Sequence, residues 1–410
     1  MISKELKYLE DLQGVILLLL HETGTRTSIQ KLNSLDKNTY EDIVRRMRHS
    51  EDKLLMEIVN PSSKNMYAKR KKELESKNGK KLAKEIIDRY WKADRIAEYE
   101  KLRINPPITK FQSIHSYRII SSLLERINKV INDNPKYQLS KEIIYGTTTT
   151  FNLNAVAISL DKNANPIIIL ESEVFMICHY LSKVVALSVP FDANGPVYLE
   201  QPIKEEIRNN NQIKLSFIQL LLVYTLNQSV LTLPYFSLPK NKTRFLQALT
   251  DGMEFYVIGH EIGHFVHKHH SEKQAPSLLP NQNVSIKNPN WEKEYEADEI
   301  GVEIMYKALD EEGYPPGIHM AGVETLLAFL HICNFARSII TKIEATYGLK
   351  DSHPPAFLRI EKMRAHYLKE SANEFDVLIG DNFKSLIYDL WNIVEVEFTD
   401  VVKTKLKNAL

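Results

Sequence analysis

The feature that most restricts the fold of this chain is a pair of histidines in a long apolar segment with helical periodicity. The segment covers residues 243–270 and contains the sequence HEIGH at positions 260–264. On a helix, residues four positions apart differ by only about 40° in rotation, so His260 and His264 project from one face and can bind the same metal ion. Glu261 lies beside them and can reach a water molecule rather than the metal. Two imidazoles with an adjacent carboxylate are typical of zinc-dependent hydrolases, in which the carboxylate is the general base.

A catalytic zinc ion bound by two histidines needs a third protein ligand, and the sequence offers two kinds of candidate. His270 falls where metzincins carry a third histidine, but His267 replaces the glycine that lets the chain leave the helix there, and no Met-turn follows. This disfavours the metzincin alternative. The other candidates are carboxylates of a later helical segment. Glu294 could bind the zinc while Asp298, one turn on, accepts a hydrogen bond from the outward N–H of a ligating histidine. Glu296 is the rival carboxylate ligand.

A third motif, HPPAFLRI at positions 353–360, follows these two in the chain. In this order the three motifs resemble the gluzincin family of CaaX prenyl endopeptidases and HtpX-type heat-shock proteases. The pattern of that family is H-E-x-x-H, then E-x-x-x-D opening a helix, then H-P-x-x-x-x-R. The resemblance covers roughly residues 150–365 and implies zinc ligation by His260, His264 and Glu294, catalytic roles for Glu261, His353 and Arg359, support of a ligand by Asp298, and contact with substrate by the strand-edge residues Asn154 and Ala155. His353 would contact the substrate or the developing oxyanion, and Arg359 would buttress the same wall.

The resemblance also implies a fold, a cofactor and a reaction. It predicts an α+β, mainly helical protein with a zincin-like metallopeptidase core that holds one Zn²⁺ per chain. Such a core hydrolyses peptide bonds of a protein or peptide substrate through a zinc-activated water, with Glu261 as general base. We expect the substrate to lie extended against a strand edge between Asn154 and Leu170, because strand addition holds a peptide backbone with little demand on its sequence.

Two alternatives to an ordinary peptidase stay open at this point. The first is a catalytically silent, zinc-stabilised regulatory or binding module, although a structural zinc site has no need of a general base such as Glu261. The second is a phage-defence protease of the Lit type, a soluble cytosolic enzyme with a similar zinc motif.

Charge and composition exclude several other classes of protein. The 53 Lys and Arg residues nearly balance the 52 Asp and Glu residues, and the formal net charge of +1 gives no global attraction to nucleic acid or to an anionic membrane. Residues 69–103 are locally basic, but their interleaved acidic residues favour a solvated helical face over a nucleic-acid-binding arm. Such an arm would make the retention of DNA or RNA depend steeply on salt concentration. Two cysteines, Cys178 and Cys333, exclude a disulfide scaffold and fit a reducing compartment.

Changes of sequence texture along the chain predict its organisation. Residues 1–140 are strongly charged and predict an N-terminal helical region. The β-branched residues of 147–160 and the apolar run at 166–170, joined by a short turn-rich loop, predict two strands of a small sheet. We therefore predict a metallopeptidase domain at residues 141–370 and a C-terminal helical segment at 371–410. Helical periodicity is present at residues 171–189, 215–226 and 243–270, and again from residue 295 onward.

The sequence predicts no secretion signal and no membrane span. Acidic residues lie among the lysines of the N-terminus, and the apolar run at residues 15–20 is not followed by a small-residue cleavage site. The longest apolar stretch, residues 213–234, is interrupted by Lys214, Gln219 and two further polar residues, which favours a buried helix over a membrane span. These features predict a soluble, cytoplasmic protein.

Overall fold

The computed structural model divides the chain into two compact units. It describes residues 4–21, 114–139, 141–148, 155–160, 164–193, 195–226, 230, 233, 236–268, 291–310, 313–341, 354–370 and 374–409. The first unit comprises Met1–Arg118, Ile144–Thr150 and Tyr235–Ser237, and the second comprises Ile119–Ile143, Phe151–Pro234 and Leu238–Leu410.

The described residues form a mainly helical α+β protein, which confirms the predicted fold class. The helices are α1 (Lys4–His21), α2 (Ile114–Asp133), α3 (Val174–Ser188), α4 (Glu200–Asn209), α5 (Asn211–Thr225), α6 (Thr243–Val266), α7 (Trp291–Leu309), α8 (Pro316–Thr341), α9 (Ala356–Glu370) and α10 (Glu374–Ala409). The strands are β1 (Ile144–Thr148), β2 (Ala155–Ile158), β3 (Ile167–Glu171), β4 (Phe191–Asp192) and β5 (Gly195–Pro196). Helices α3, α5, α6 and α7 lie where helical periodicity predicts helices, with ends that differ by a few residues.

In the first unit, α1 packs on β1 through an apolar contact and a hydrogen bond. The Leu9 side chain fills the space beside Gly146, so a larger residue at that position would displace it. Gln13 Nε2 donates a hydrogen bond to the carbonyl oxygen of Thr147 at 2.6 Å. The locally basic residues 69–103 lie outside the described part of the chain.

In the second unit, β2 and β3 correspond to the two predicted strands, and they pair antiparallel. Ala155 pairs with Leu170, and Ile158 pairs with Ile167. Every residue of β3 is buried, which is the environment of a strand covered on both faces, and its isoleucines suit a pleated surface. Asn154, predicted together with Ala155 to contact substrate, lies outside the described residues.

Helix α6 is the centre of the second unit and packs against α3, α7 and α8. Its buried residues lie on every side of the helix, which is the pattern of a helix enclosed by others. Gly252 of α6 lies against the backbone carbonyl of His319, and Gly322 of α8 lies against that of Leu249. A Cβ atom at either glycine would overlap this backbone. The two helices therefore touch through their main chains, which fixes their separation.

Helix α9 is held in register by polar contacts with neighbouring helices. Arg364 donates two hydrogen bonds to Glu324 of α8, from Nε to Oε1 and from Nη2 to Oε2. Gly380 of α10 leaves room for this pair, since a Cβ atom there would lie 2.9 Å from Arg364 Nη2. On α7, Glu303 Oε1 lies 3.1 Å from His366 Nε2. A bidentate pair accepts little change of geometry, so these contacts fix the position of the whole of α9.

Helix α10 occupies the predicted C-terminal helical segment and packs along α4, α5 and α8. It belongs to the same compact unit as the rest of the chain after residue 237. The predicted domain boundaries at residues 140 and 370 stay predictions.

One helix of the described residues is long and apolar enough to cross a membrane, judged by length and composition. It is the Pro316–Ile340 portion of α8, with a mean hydropathy of 1.4. Of its most apolar window, 61% is buried within the protein, and a core helix of a soluble protein meets the same criterion. Within the apolar stretch 213–234, singled out from the sequence, residues 213–225 lie in α5, which is largely buried.

Candidate metal centre

The centre is built on a close crossing of α6 and α7 through small residues. Gly259 and Gly263 of α6 face Gly301 and Ala297 of α7, and both pairs are spaced by four residues, so they lie along one face of each helix. A Cβ atom at Gly263 would lie 2.8 Å from Ala297 Cα, and one at Gly259 would lie 2.9 Å from the carbonyl oxygen of Gly301. Because the backbones touch, short side chains from the two helices can meet beside the crossing.

Three potential metal ligands meet beside this crossing. The donor atoms of His260, His264 and Glu294 all lie within 4.8 Å of one another. His260 Nε2 is 3.5 Å from Glu294 Oε2, and His264 Nε2 is 3.7 Å from Glu294 Oε1. The two imidazole rings are nearly perpendicular, at 84°, with centroids 4.8 Å apart. One carboxylate therefore faces both imidazoles.

These distances fit a zinc ion better than they fit direct hydrogen bonds. In a tetrahedral site with bonds of about 2.0–2.1 Å, neighbouring donor atoms lie about 3.3–3.4 Å apart. Hydrogen bonds from a ring nitrogen to a carboxylate oxygen would bring the atoms to about 2.7–3.2 Å. Two imidazoles with one carboxylate are also a donor set that zinc prefers. Glu296, the rival ligand, is rotated by about 200° from Glu294 on the same helix and is not part of this group.

The protonation of His260 depends on its acidic neighbours. Burial alone would lower the pKa of His260, but the nearby carboxylates of Asp298 and Glu294 raise it to about 10 in the metal-free protein. A metal ligand must be the neutral imidazole, so binding of a metal would release this proton.

We expect Gly301→Val to disrupt the centre, because its side chain would collide with the backbone of α6. A Cβ atom at Gly301 would lie 2.9 Å from the backbone nitrogen of His260. Separating the helices should lower the free energy of unfolding by about 1–3 kcal/mol and remove zinc from the purified protein. Elemental analysis and urea unfolding measure the two effects. Glu397→Val, on an exposed face of α10, is the matched control. Normal zinc content in Gly301→Val would show that the crossing does not position the ligands.

Glu261 projects from α6 toward β2. Its side chain is buried, and the backbone N–H of Ala157 donates a hydrogen bond to its carboxylate. Burial raises the pKa of Glu261 to about 7, and the charge of Glu294 adds to the increase, whereas His260 and the Ala157 N–H oppose it. A strand thus holds this carboxylate next to the three potential ligands.

Behind His260 lies a fully buried carboxylate, that of Asp298. His260 Nδ1 is 2.8 Å from Asp298 Oδ1, on the side of the ring away from Glu294. Arg359 of α9 donates from Nε to Asp298 Oδ2 at 2.8 Å and from Nη2 to Oδ1 at 2.6 Å. Burial would raise the pKa of Asp298, but the Arg359 guanidinium and the His260 imidazole hold it well below its usual range. The charge of Asp298 is therefore compensated inside the protein.

The structure brings most of the predicted site residues into one place. His260, Glu261, His264, Glu294, Asp298 and Arg359 lie together around the crossing of α6 and α7. Ala155 is on β2, two residues from the backbone N–H that contacts Glu261. His353, Asn154 and the metzincin candidate His270 lie outside the described residues.

The structure adds one group that sequence reasoning missed, and it specifies the contacts of another. Tyr256 lies one turn before His260 on α6, and its hydroxyl donates to Asp298 Oδ1 at 2.7 Å. Its position four residues before the potential ligand His260, and so on the same face of the helix, was the signal available in the sequence. Arg359, expected beside His353, contacts Asp298 and also donates from Nη2 to the Tyr256 hydroxyl at 2.9 Å.

Neither a curated protein nor a solved structure matches this chain. The model of the family Peptidase U49 matches residues 240–378, which contain α6, α7, α8 and α9 and therefore all the described donors of the centre. The match supports a peptidase family without singling out the CaaX and HtpX type. Over its site-bearing segment the chain is thus similar to Peptidase U49, and this similarity supports a protease function.

Proposed function

We propose that this protein is a zinc-dependent endopeptidase of the gluzincin type that holds one zinc ion per chain. The observation that carries the proposal is the meeting of His260, His264 and Glu294 within 4.8 Å, with the buried carboxylate of Glu261 adjacent in the chain. A structural zinc site would have four protein ligands and no general base, whereas three ligands beside a carboxylate leave a position for chemistry. The match to a peptidase family points to the same class of reaction.

In this mechanism Glu261 is the group that moves protons. When bound, a zinc ion supplies Lewis-acid polarisation of the scissile carbonyl and lowers the pKa of water toward about 7. Glu261 accepts the proton that the attacking water loses, and it then delivers a proton to the nitrogen of the leaving amine. The backbone N–H of Ala157 holds its carboxylate in place between these steps. His353 is proposed to donate to the developing oxyanion, as the family resemblance implies.

The substrate is proposed to lie extended along β2. Within the described part of the chain, β2 ends its sheet on the side away from β3. The Ala157 N–H points to Glu261 and not to β3, and backbone groups two residues apart on a strand share an edge. The N–H and C=O groups of Ala155 therefore face the same edge. A peptide added there would form backbone hydrogen bonds with β2 and would place its peptide bonds near Glu261. A cytoplasmic location, expected from the sequence, is part of the same proposal.

The identity of the third ligand can be tested by two single substitutions. Glu294→Ala should lose most of its zinc because two imidazoles alone leave the ion short of a protein ligand, whereas Glu296→Ala should keep a full equivalent. Elemental analysis of the purified proteins measures both. Wild-type zinc content in Glu294→Ala would reject Glu294 as a ligand, and zinc loss confined to Glu296→Ala would move the ligand to that residue.

A further inference from the structure

We propose that Tyr256 is a positioning residue of the metal centre, whose hydroxyl fixes the Asp298 carboxylate and, through it, the His260 imidazole. This inference rests on the proposed function, because it assigns Tyr256 a role toward the same zinc ion. Tyr256 does not belong to the group of potential ligands and acts only through its neighbours.

The direction of each hydrogen bond around Tyr256 follows from the chemistry of its partners. A guanidinium can only donate, so Arg359 Nη2 donates to the Tyr256 oxygen at 2.9 Å. The single proton of the hydroxyl is then available for Asp298 Oδ1, 2.7 Å away. Because Asp298 is an acceptor when ionised, this is the arrangement that satisfies all three groups.

The Asp298 oxygen that contacts Tyr256, Oδ1, also faces His260, the proposed metal ligand. Asp298 Oδ1 accepts from Tyr256 and from Arg359 Nη2, and it lies 2.8 Å from His260 Nδ1. Asp298 is 0% exposed and Tyr256 is 3% exposed, so water cannot replace a missing donor. An imidazole that donates from Nδ1 to a carboxylate keeps its Nε2 lone pair directed at the metal. Because Oδ1 is the close neighbour on the Nδ1 side of the ring, its position restricts the orientation of the His260 imidazole.

Tyr256 supplies the contact on Oδ1 that is independent of α9. Arg359, on α9, donates to both oxygens of Asp298. Tyr256 is on α6, the helix that also carries His260, and its ring lies 6.0 Å from the imidazole between centroids. It thus links the carboxylate to the helix of the ligand and keeps Oδ1 in reach of Nδ1.

The test is the zinc affinity of Tyr256→Phe, which removes one oxygen and keeps the ring. Competition with a chelator should show binding about tenfold weaker than in the wild type, the lower end of the change expected when a group that orients a ligand is lost. Tyr180→Phe is the matched control, since it removes the hydroxyl of another buried tyrosine, one hydrogen bonded to Ser216. Its affinity should equal that of the wild type.

A double-mutant cycle with Asp298→Asn separates positioning from general stability. If Tyr256 acts through Asp298, the double variant should bind zinc as weakly as Asp298→Asn alone. Losses that multiply, an unchanged affinity in Tyr256→Phe, or a Tyr256→Phe protein that is unfolded without metal would each overturn the positioning role. If the wild-type protein bound no zinc, the proposed function itself would be wrong. That outcome differs from a Tyr256→Phe protein with wild-type zinc affinity, which would overturn only the role of Tyr256.

Discussion

Glu261→Gln should abolish nearly all peptide hydrolysis while the protein keeps its fold and its zinc. An amide cannot accept the proton of the attacking water, and the loss of a general base typically costs about 10²–10⁴ in rate. The amide oxygen can still accept the hydrogen bond from the Ala157 N–H, so the strand should stay in place. The measurement is cleavage of a library of peptides made from a digested proteome, compared between variant and wild type, with elemental analysis of both proteins.

Glu254→Gln is the matched control for this experiment. Glu254 is a buried carboxyl group on the same helix. Burial raises its pKa well above the usual range, and the charge of Asp251 raises it further. Burial thus favours its protonated form, which an amide resembles, and cleavage should be close to that of the wild type. Full turnover by Glu261→Gln would refute the proposed mechanism. Loss of zinc from Glu261→Gln would instead show that the residue holds the centre together.

Arg359→Ala should destabilise the metal-free protein strongly, because it leaves the Asp298 carboxylate buried without its main compensating charge. Asp298 is fully buried, and removal of one partner of a buried pair costs about 3–5 kcal/mol of unfolding free energy. Urea unfolding of the metal-free protein measures this loss. Zinc affinity should fall as well, since Asp298 would no longer be held against His260.

A second ion pair on the same helix supplies the control for Arg359→Ala. Lys362 Nζ lies 2.8 Å from Glu292 Oε1, but the two side chains are 37% and 66% exposed. Lys362→Ala should therefore cost less than about 1 kcal/mol, because water and salt screen an exposed pair. Equal losses in the two variants would show that Arg359 stabilises α9 in general and has no special relation to Asp298.

The sequence by itself determined the local part of the site. His260 and His264 share a face, and so do Glu294 and Asp298, because a spacing of four residues is a property of a single helix. The two strands β2 and β3 were also predicted, because runs of β-branched residues joined by a turn-rich loop are typical of paired strands. Helices α3, α5 and α6 follow from apolar periodicity, although α6 ends at Val266 and not at the end of the histidine-rich stretch.

Only the tertiary structure decided how these local pieces meet. No local rule places Glu294 rather than Glu296 beside the histidines, because that depends on the rotation of α7 at its crossing with α6. The crossing depends on Gly259, Gly263 and Gly301, whose missing side chains matter only when the partner helix is present.

The contacts that join α6, α7 and α9 around Asp298 likewise cannot be inferred from the sequence. Tyr256 and Arg359 are 103 positions apart, yet the Arg359 guanidinium donates to the Tyr256 hydroxyl and to the carboxylate beside it. Hydrogen bonds between residues so far apart in the sequence depend on how whole helices pack and not on residue spacing. A buried carboxylate must find its donors wherever the fold brings them, and the sequence alone gives only the residue types that are able to serve.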